Sequence, residues 1–337
     1  MTMPTELRKP HRADSAWDAF SENPAEDKAI PARRDPLRMS RPRGTIPGEL
    51  LWRNVAGIGG LHILCLLALV PWLFSWSGLL LCFAGLYVFG TLGINLGFHR
   101  LLAHQGFTCP KWLERVFAIL GVCCLQEGPA RWVAAHRLHH QYSDELPDPH
   151  SPLVAFFWAH VGWLLVKNRD LDSIAHYERY ARDLLQDPFY FRLERNGRWA
   201  IVYAVHAAAF AVAGFVVGWI VSGSSSVGWQ LAASWLVWGV IVRTVLVWHI
   251  TWSVNSLTHL WGYRTYETRE NSRNNWLVGL IANGEGWHNN HHAEQRAAAH
   301  GHRPAELDIT WQTIRLLRLL GLARNVITPK CWAESGR

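Results

Sequence analysis

Four stretches of the chain, residues 55–74, 79–97, 199–221 and 231–254, gather the apolar residues into blocks of about 20 that are nearly uncharged. At about 1.5 Å per helical residue each covers a hydrocarbon core of about 30 Å, so the pattern predicts four transmembrane helices. Tryptophans at the block ends, among them Trp52, Trp72, Trp76, Trp199, Trp229 and Trp252, suit the interfacial aromatic belt. Two further apolar runs, 113–125 and 152–166, are too short to span and predict interfacial or re-entrant helices, or the core of a cap outside the membrane. The expected fold is an all-α integral membrane protein in which two hairpins carry a cytoplasmic helical cap.

Charge sets the expected sidedness. The short connections 75–77 and 222–230 contain no Lys or Arg, whereas the N-terminal arm, the segment 98–198 and the segment 255–337 hold 32 of the 33 basic residues. The exception is Arg243, inside the fourth block, read as paired with a carboxylate or a headgroup. The positive-inside rule then places both termini and the long middle segment in the cytoplasm, for a protein of the inner membrane. Anionic headgroups or an acidic partner account for the net charge of +7 without nucleic acid. Residues 1–48, rich in Pro, Arg, Asp and Glu, predict a disordered arm, followed by a membrane domain over 49–325 and a tail over 326–337. The six cysteines form no C-x-x-C, and four sit in apolar runs, so they are read as structural rather than as disulfides or ligands.

Histidine supplies the chemistry. His136-Arg-Leu-His139-His140 and His288-Asn-Asn-His291-His292 repeat one spacing, with His99 and His104 upstream of both. Histidines at i, i+3 and i+4 share a helix face, so each triplet can aim three nitrogens at one volume. Eight candidate ligands exceed the six of one octahedral ion, which implies two metals. His99 and His104 would lie about 140° apart on an ideal α-helix, so either the helix is distorted there or they serve different metals. His259, one turn after Asn255 at the end of the fourth block, is the candidate ninth ligand. All these positions fall on the side that the charge pattern calls cytoplasmic.

Zinc sites of four ligands with thiolates, or of three ligands plus water, do not suit so many imidazoles. The Glu-x-x-His pair of soluble di-iron bundles has one match only, Glu285 to His288. A histidine-rich pair of irons that activates O2 is the reading taken, over manganese, zinc or haem. Of the other histidines, His62, His206 and His249 lie in or beside apolar blocks and are read as packing or interhelical hydrogen-bonding residues. His11, His150, His160, His176, His300 and His302 lack ligand spacing and are read as surface residues or as partners of the ligands.

The three boxes H-x4-H, H-x2-H-H and H-x2-H-H, with Asp144, the run Asp148-Pro-His-Ser, the run Asn255-Ser-Leu-Thr-His259 and Gly284-Glu-Gly-Trp-His288, resemble the membrane fatty-acid desaturases, over about residues 50–310. The branch resembled is that of the acyl-CoA (stearoyl-CoA) delta-9 enzymes and their bacterial relatives. The resemblance implies two irons held by His99, His104, His136, His139, His140, His259, His288, His291 and His292, with Asn255 reaching an iron through water. It also implies O2-dependent introduction of a cis double bond into a saturated acyl chain. The chain would be presented as acyl-CoA, with a lipid-bound acyl chain as the alternative, and would lie in a narrow apolar tunnel. No His-Pro-Gly-Gly haem motif is present, so electrons would come from a separate carrier such as a ferredoxin with its reductase. Ala135 stands where the animal acyl-CoA enzymes usually have aspartate, which leaves CoA and lipid carriers both open. A hydroxylase on the same scaffold is the near rival. A metal transporter is the distant one, since its ligands would lie at mid-membrane depth rather than outside the blocks.

Overall fold

The computed structural model describes residues 39–334. Most of the arm expected to be disordered, with His11, and the last residues of the tail lie outside them. In chain order the principal helices are α1 (Trp52–Leu69), α2 (Trp76–Ala103), α3 (Lys111–Val122), α4 (Pro129–Tyr142), α5 (Arg198–Ser222), α6 (Ser225–Leu257), α7 (Trp276–Ile281), α8 (His288–Ala293) and α9 (Ile309–Leu319). Helices α1, α2 and α6, and the segment Pro188–Ser222 that contains α5, are each long and apolar enough to cross a membrane.

The first span is shorter than the expected 55–74. Its helix stops at Leu69, because Val70 takes the extended conformation (φ −81°, ψ 114°) that precedes Pro71. The second and fourth spans overrun their apolar blocks, and this overrun carries polar residues beyond the apolar zone. The fold also departs from an all-helical reading, since Thr45–Leu50 and Val166–Asn168 pair as an antiparallel ribbon. The apolar run 152–166 is helical only over 156–165 before it enters that ribbon.

Helices α2, α3 and α4 pack closely together. A Cβ on Gly93 of α2 would come within 2.4 Å of the Gly121 nitrogen on α3, so the two backbones touch where no side chain would fit. Phe98, Phe117, Val122 and Val133 are buried around that contact. The six cysteines are free, and Cys82, Cys123 and Cys124 are buried. Arg243 is fully buried, but not against the expected carboxylate or headgroup. Its Nη1 donates to Cys123 O at 2.8 Å, its Nε donates to Gly239 O at 3.2 Å, and its guanidinium lies 4.3 Å over the Phe89 ring.

Candidate metal centre

Four elements end at one pole of the spanning helices, and each delivers histidines there. The last turns of α2 are wider than an α-helix: His104 N donates to His99 O at 3.1 Å, an i to i+5 bond. Five residues then make about one turn, and the two rings meet with centroids 4.7 Å apart. The helix is thus distorted at this pair, and both rings fall in one cluster. Helix α4 begins at Pro129, with proline in the first turn, and presents His136, His139 and His140. His259 follows the end of α6, and the short α8 bears His288, His291 and His292.

The nine histidines fall into two clusters. His99, His104, His136, His140 and His291 form one, His139, His259, His288 and His292 the other, and within each the donor nitrogens lie within 4.8 Å of one another. Each triplet is shared: His136 and His140 turn one way and His139 the other, while His291 leaves His288 and His292 for the second cluster. Nε2 atoms approach at 3.1 Å (His99 and His291), 2.7 Å (His104 and His136), 3.0 Å (His140 and His291), 3.1 Å (His259 and His288) and 3.0 Å (His288 and His292). Adjacent ligands of an octahedral ion with bonds of about 2.1 Å would be about 3.0 Å apart, which is this spacing.

The opposite ring nitrogens show which lone pairs are free. Nδ1 of His99 lies 2.6 Å from Glu285, Nδ1 of His139 lies 3.0 Å from both Asp148 oxygens, and Nδ1 of His259 lies 3.0 Å from Asp144. A carboxylate that accepts the Nδ1 hydrogen leaves Nε2 as a lone pair aimed into the cluster, the arrangement that orients metal-binding histidines. Burial, then the charge that neighbouring imidazoles would bring, holds His104, His136, His140, His288, His291 and His292 well below the usual histidine range. They are therefore neutral at pH 7, the form that binds a metal. Burial also opposes charge on His259, but Asp144, with Glu270 and Asp148 behind it, pushes its pKa up to about 9. Burial works against ionisation of Asp144, Asp148 and Glu285 too, yet the imidazoles, and for Glu285 chiefly Arg100, hold all three below the usual carboxylate range.

Around this cage runs a polar ring that the spacing of the histidines did not reveal. Arg100 bonds Glu285 at 2.8 Å, Asp308 at 2.9 Å and Ala298 O at 2.7 Å. Arg137 caps the open end of α2, donating to Leu102 O at 2.8 Å and Ala103 O at 3.0 Å, and it pairs with Asp183 at 2.9 Å. Asn289 accepts from the backbone N–H groups of Thr265 and Tyr266 at 2.7 and 2.8 Å and so fastens the loop after α6 to α8. Gly284 takes φ +114°, and a Cβ there would meet Asp308 at 2.2 Å, so Glu285 is delivered on a backbone that only glycine permits. The clue was present in the sequence: Arg100, Arg137 and Asn289 each follow a box histidine directly, and Glu285 precedes the last box.

The remaining histidines divide. His150 and His300 are buried beside the cage, His150 with its ring 4.4 Å from that of His139 and His300 with its ring 4.2 Å from that of His291. His176 and His302 are buried as well, so none of these four is a surface residue. His62 and His249 meet the expectation of interhelical bonding. Nε2 of His62 lies 3.0 Å from Nε2 of His249, whose Nδ1 lies 3.0 Å from Nε2 of His160, whose Nδ1 lies 3.0 Å from Ser256 Oγ. His206 packs 4.8 Å from Phe89 and contacts Arg243.

A cavity of about 310 Å³ opens between α1, α4 and α6. Ile58, Leu125, Trp163, Leu164, Trp199, Trp248 and Trp252 give it apolar walls, and it reaches His136, His150 and Asn255. Trp132 stacks on His136, with centroids 4.9 Å apart, and forms part of the same wall. Asn255 thus lines the cavity one turn before His259.

Comparison with known proteins bears on this arrangement. Residues 71–307 match the family described as fatty acid desaturase. The chain is 41% identical over 287 residues to an sn-2 palmitoyl-lipid 9-desaturase of Nostoc sp. (strain 36), covering 85% of this chain and 93% of that protein. It is 40% identical over 278 residues to an sn-1 stearoyl-lipid 9-desaturase of Synechocystis sp. (82% and 80%). It is 41% identical over 276 residues to an acyl-CoA C20 Delta5-desaturase of Anemone leveillei (82% and 81%).

Proposed function

The chain belongs to the fatty acid desaturase family, and we propose that it introduces a cis double bond, at the delta-9 position, into a saturated acyl chain carried on a membrane lipid. The observation that carries the reading is the apolar cavity that ends against His136 of the five-histidine cluster. A saturated chain offers no polar handle, so only the shape of such a cavity can fix one C–C bond beside the cage. The net change is R–CH2–CH2–R′ + O2 + 2e⁻ + 2H⁺ → R–CH=CH–R′ + 2H2O, with both electrons supplied by a separate carrier and its reductase.

In this reading His99, His104, His136, His140 and His291 hold one iron, His139, His259, His288 and His292 hold the other, and Asn255 reaches the second through a water. When bound, the two irons supply the reduction of O2 and the removal of hydrogen from an unactivated carbon. The protein does the rest. Glu285, Asp148 and Asp144 fix the tautomers of His99, His139 and His259, burial keeps the other imidazoles neutral, and the tryptophan walls exclude water from the reacting carbons. The active side and both termini would face the cytoplasm.

The acyl-CoA carrier implied by the family resemblance stands as a second reading. Lipid 9-desaturases among the relatives favour a lipid carrier, and the plant acyl-CoA relative favours CoA. Feeding membranes that contain the protein with isotope-labelled saturated acyl-CoA, or with labelled acyl lipid when acyl transfer is blocked, separates the carriers. Mass spectrometry should find a delta-9 monoene on the lipid. A hydroxylated product would establish the hydroxylase instead, and a monoene formed only from acyl-CoA would reverse the choice of carrier.

A further inference from the structure

We propose that Glu294, His302 and Cys331 form a third metal site, which takes one divalent ion of the zinc class. Their donor atoms lie within 4.8 Å of one another, although they come from three separate parts of the sequence. Glu294 caps the C-terminal end of α8, His302 lies in the loop after it, and Cys331 belongs to the last short helix, Lys330–Glu334.

His302 points to a ligand independently of that clustering. It is 5% exposed, its Nδ1 lies 2.8 Å from the Tyr266 hydroxyl, and its Nε2 is buried with no partner. Whichever tautomer it adopts, one buried ring nitrogen remains unmatched. With Nδ1–H donating to Tyr266, Nε2 carries a free lone pair, which is how a metal-binding imidazole is held. Cys331 forms no disulfide, and its thiol is hydrogen-bonded with the same Tyr266 hydroxyl. Glu294 accepts the Lys330 N–H on Oε2 at 2.8 Å, and a carboxylate has further lone pairs with which to bind an ion.

The donor set selects the ion. A thiolate with an imidazole and a carboxylate is a borderline-soft set that suits zinc and excludes magnesium and calcium, and three protein donors leave the fourth tetrahedral position to water. The histidine cage has no sulfur, so the two kinds of site differ in chemistry. Structurally, the ion would tie the C-terminal segment to α8, adding to the bonds from Lys330 N to Glu294 and from Trp332 Nε1 to His302 O at 3.1 Å.

Cobalt(II) titration of the purified full-length protein, with the cage already loaded with iron, tests this. A thiolate-to-cobalt charge-transfer absorption should grow to one ion per chain and be displaced by zinc. It should be absent from Cys331→Ser, whose iron content and elution volume should match those of the unmodified protein. His302→Gln should weaken cobalt binding at least tenfold, and if that variant does not fold, Cys331→Ser decides alone. The absence of a sulfur band from the unmodified protein, or its persistence in Cys331→Ser, would overturn the proposal. Because only sulfur gives the band, the result does not depend on whether the protein proves to be a desaturase.

Discussion

Replacing Asp144 by Asn isolates the contribution of one carboxylate to one of the two proposed irons. Asp144 accepts from His259 Nδ1 at 3.0 Å, from the Asn271 N–H at 2.8 Å and from the Ser151 hydroxyl at 2.6 Å. An Asn of the same shape keeps its amide oxygen for His259 and Asn271 and turns its NH2 toward the Ser151 oxygen, so the fold stays and the charge goes. Losing such a partner typically costs about 10- to 100-fold in metal affinity, or about 1.4–2.8 kcal/mol. Asp144 also favours a proton on His259, but the ion carries twice the charge of the proton and gains more from the carboxylate. Glu285→Gln removes the carboxylate behind His99, in the other cluster, and leaves buried Arg100 with Asp308 as its remaining carboxylate partner. Iron retained per chain, measured during titration with a chelator, should show each single variant losing one iron at about 10- to 100-fold less chelator than the unmodified protein. The double variant should lose both. If the double variant kept one iron, both carboxylates would serve a single ion and the division into five and four would be wrong. Unchanged chelator sensitivity in both single variants would refute the role of the carboxylates.

Four further outcomes are expected. Because the pKa of His259 is about 9, a metal entering its cluster must displace a proton; affinity there should rise about tenfold per pH unit from 6 towards 9, while the five-histidine cluster changes less, and a chelator competition at two pH values that finds the opposite order would contradict the assignment. Arg137→Met strips hydrogen bonds from Leu102 O, Ala103 O and Asp183; a loss of about 3–5 kcal/mol in thermal or denaturant unfolding is expected, together with weaker iron retention at His104. Ala135→Leu fills the cavity wall beside His136 and should shift turnover to shorter acyl chains at unchanged iron content, a shift that product analysis by gas chromatography would reveal or exclude. His249→Phe breaks the contacts to His62 and His160; with no buried residue in the regular part of α1, a loss of about 1–2 kcal/mol with iron retained is expected, and a stability unchanged in lipid would show that the chain of imidazoles contributes nothing.

The sequence by itself determined whatever depends on local period and composition. Twenty apolar residues in a row must be helical in lipid, because no water is present to satisfy the backbone, so the four long apolar helices were legible even though Pro71 and the overrun of α2 and α6 moved their ends. Histidines at i, i+3 and i+4 share a helix face wherever the helix goes, so the boxes by themselves pointed to a candidate metal centre. Tertiary structure alone decided how the boxes divide. His136 and His291 are about 150 residues apart in sequence, and only the meeting of α4 with α8 assigns them to one cluster and leaves His139 with His259. The same holds for Glu285 behind His99, for Arg137 under the end of α2 and for the cavity against His136, each built from segments that no local pattern connects. The wide turn that joins His99 to His104 was visible in the sequence only as a conflict with ideal helical geometry. Its resolution lies in the bond from His104 N to His99 O, with the carbonyls at the end of α2 satisfied by buried Arg137 from another helix.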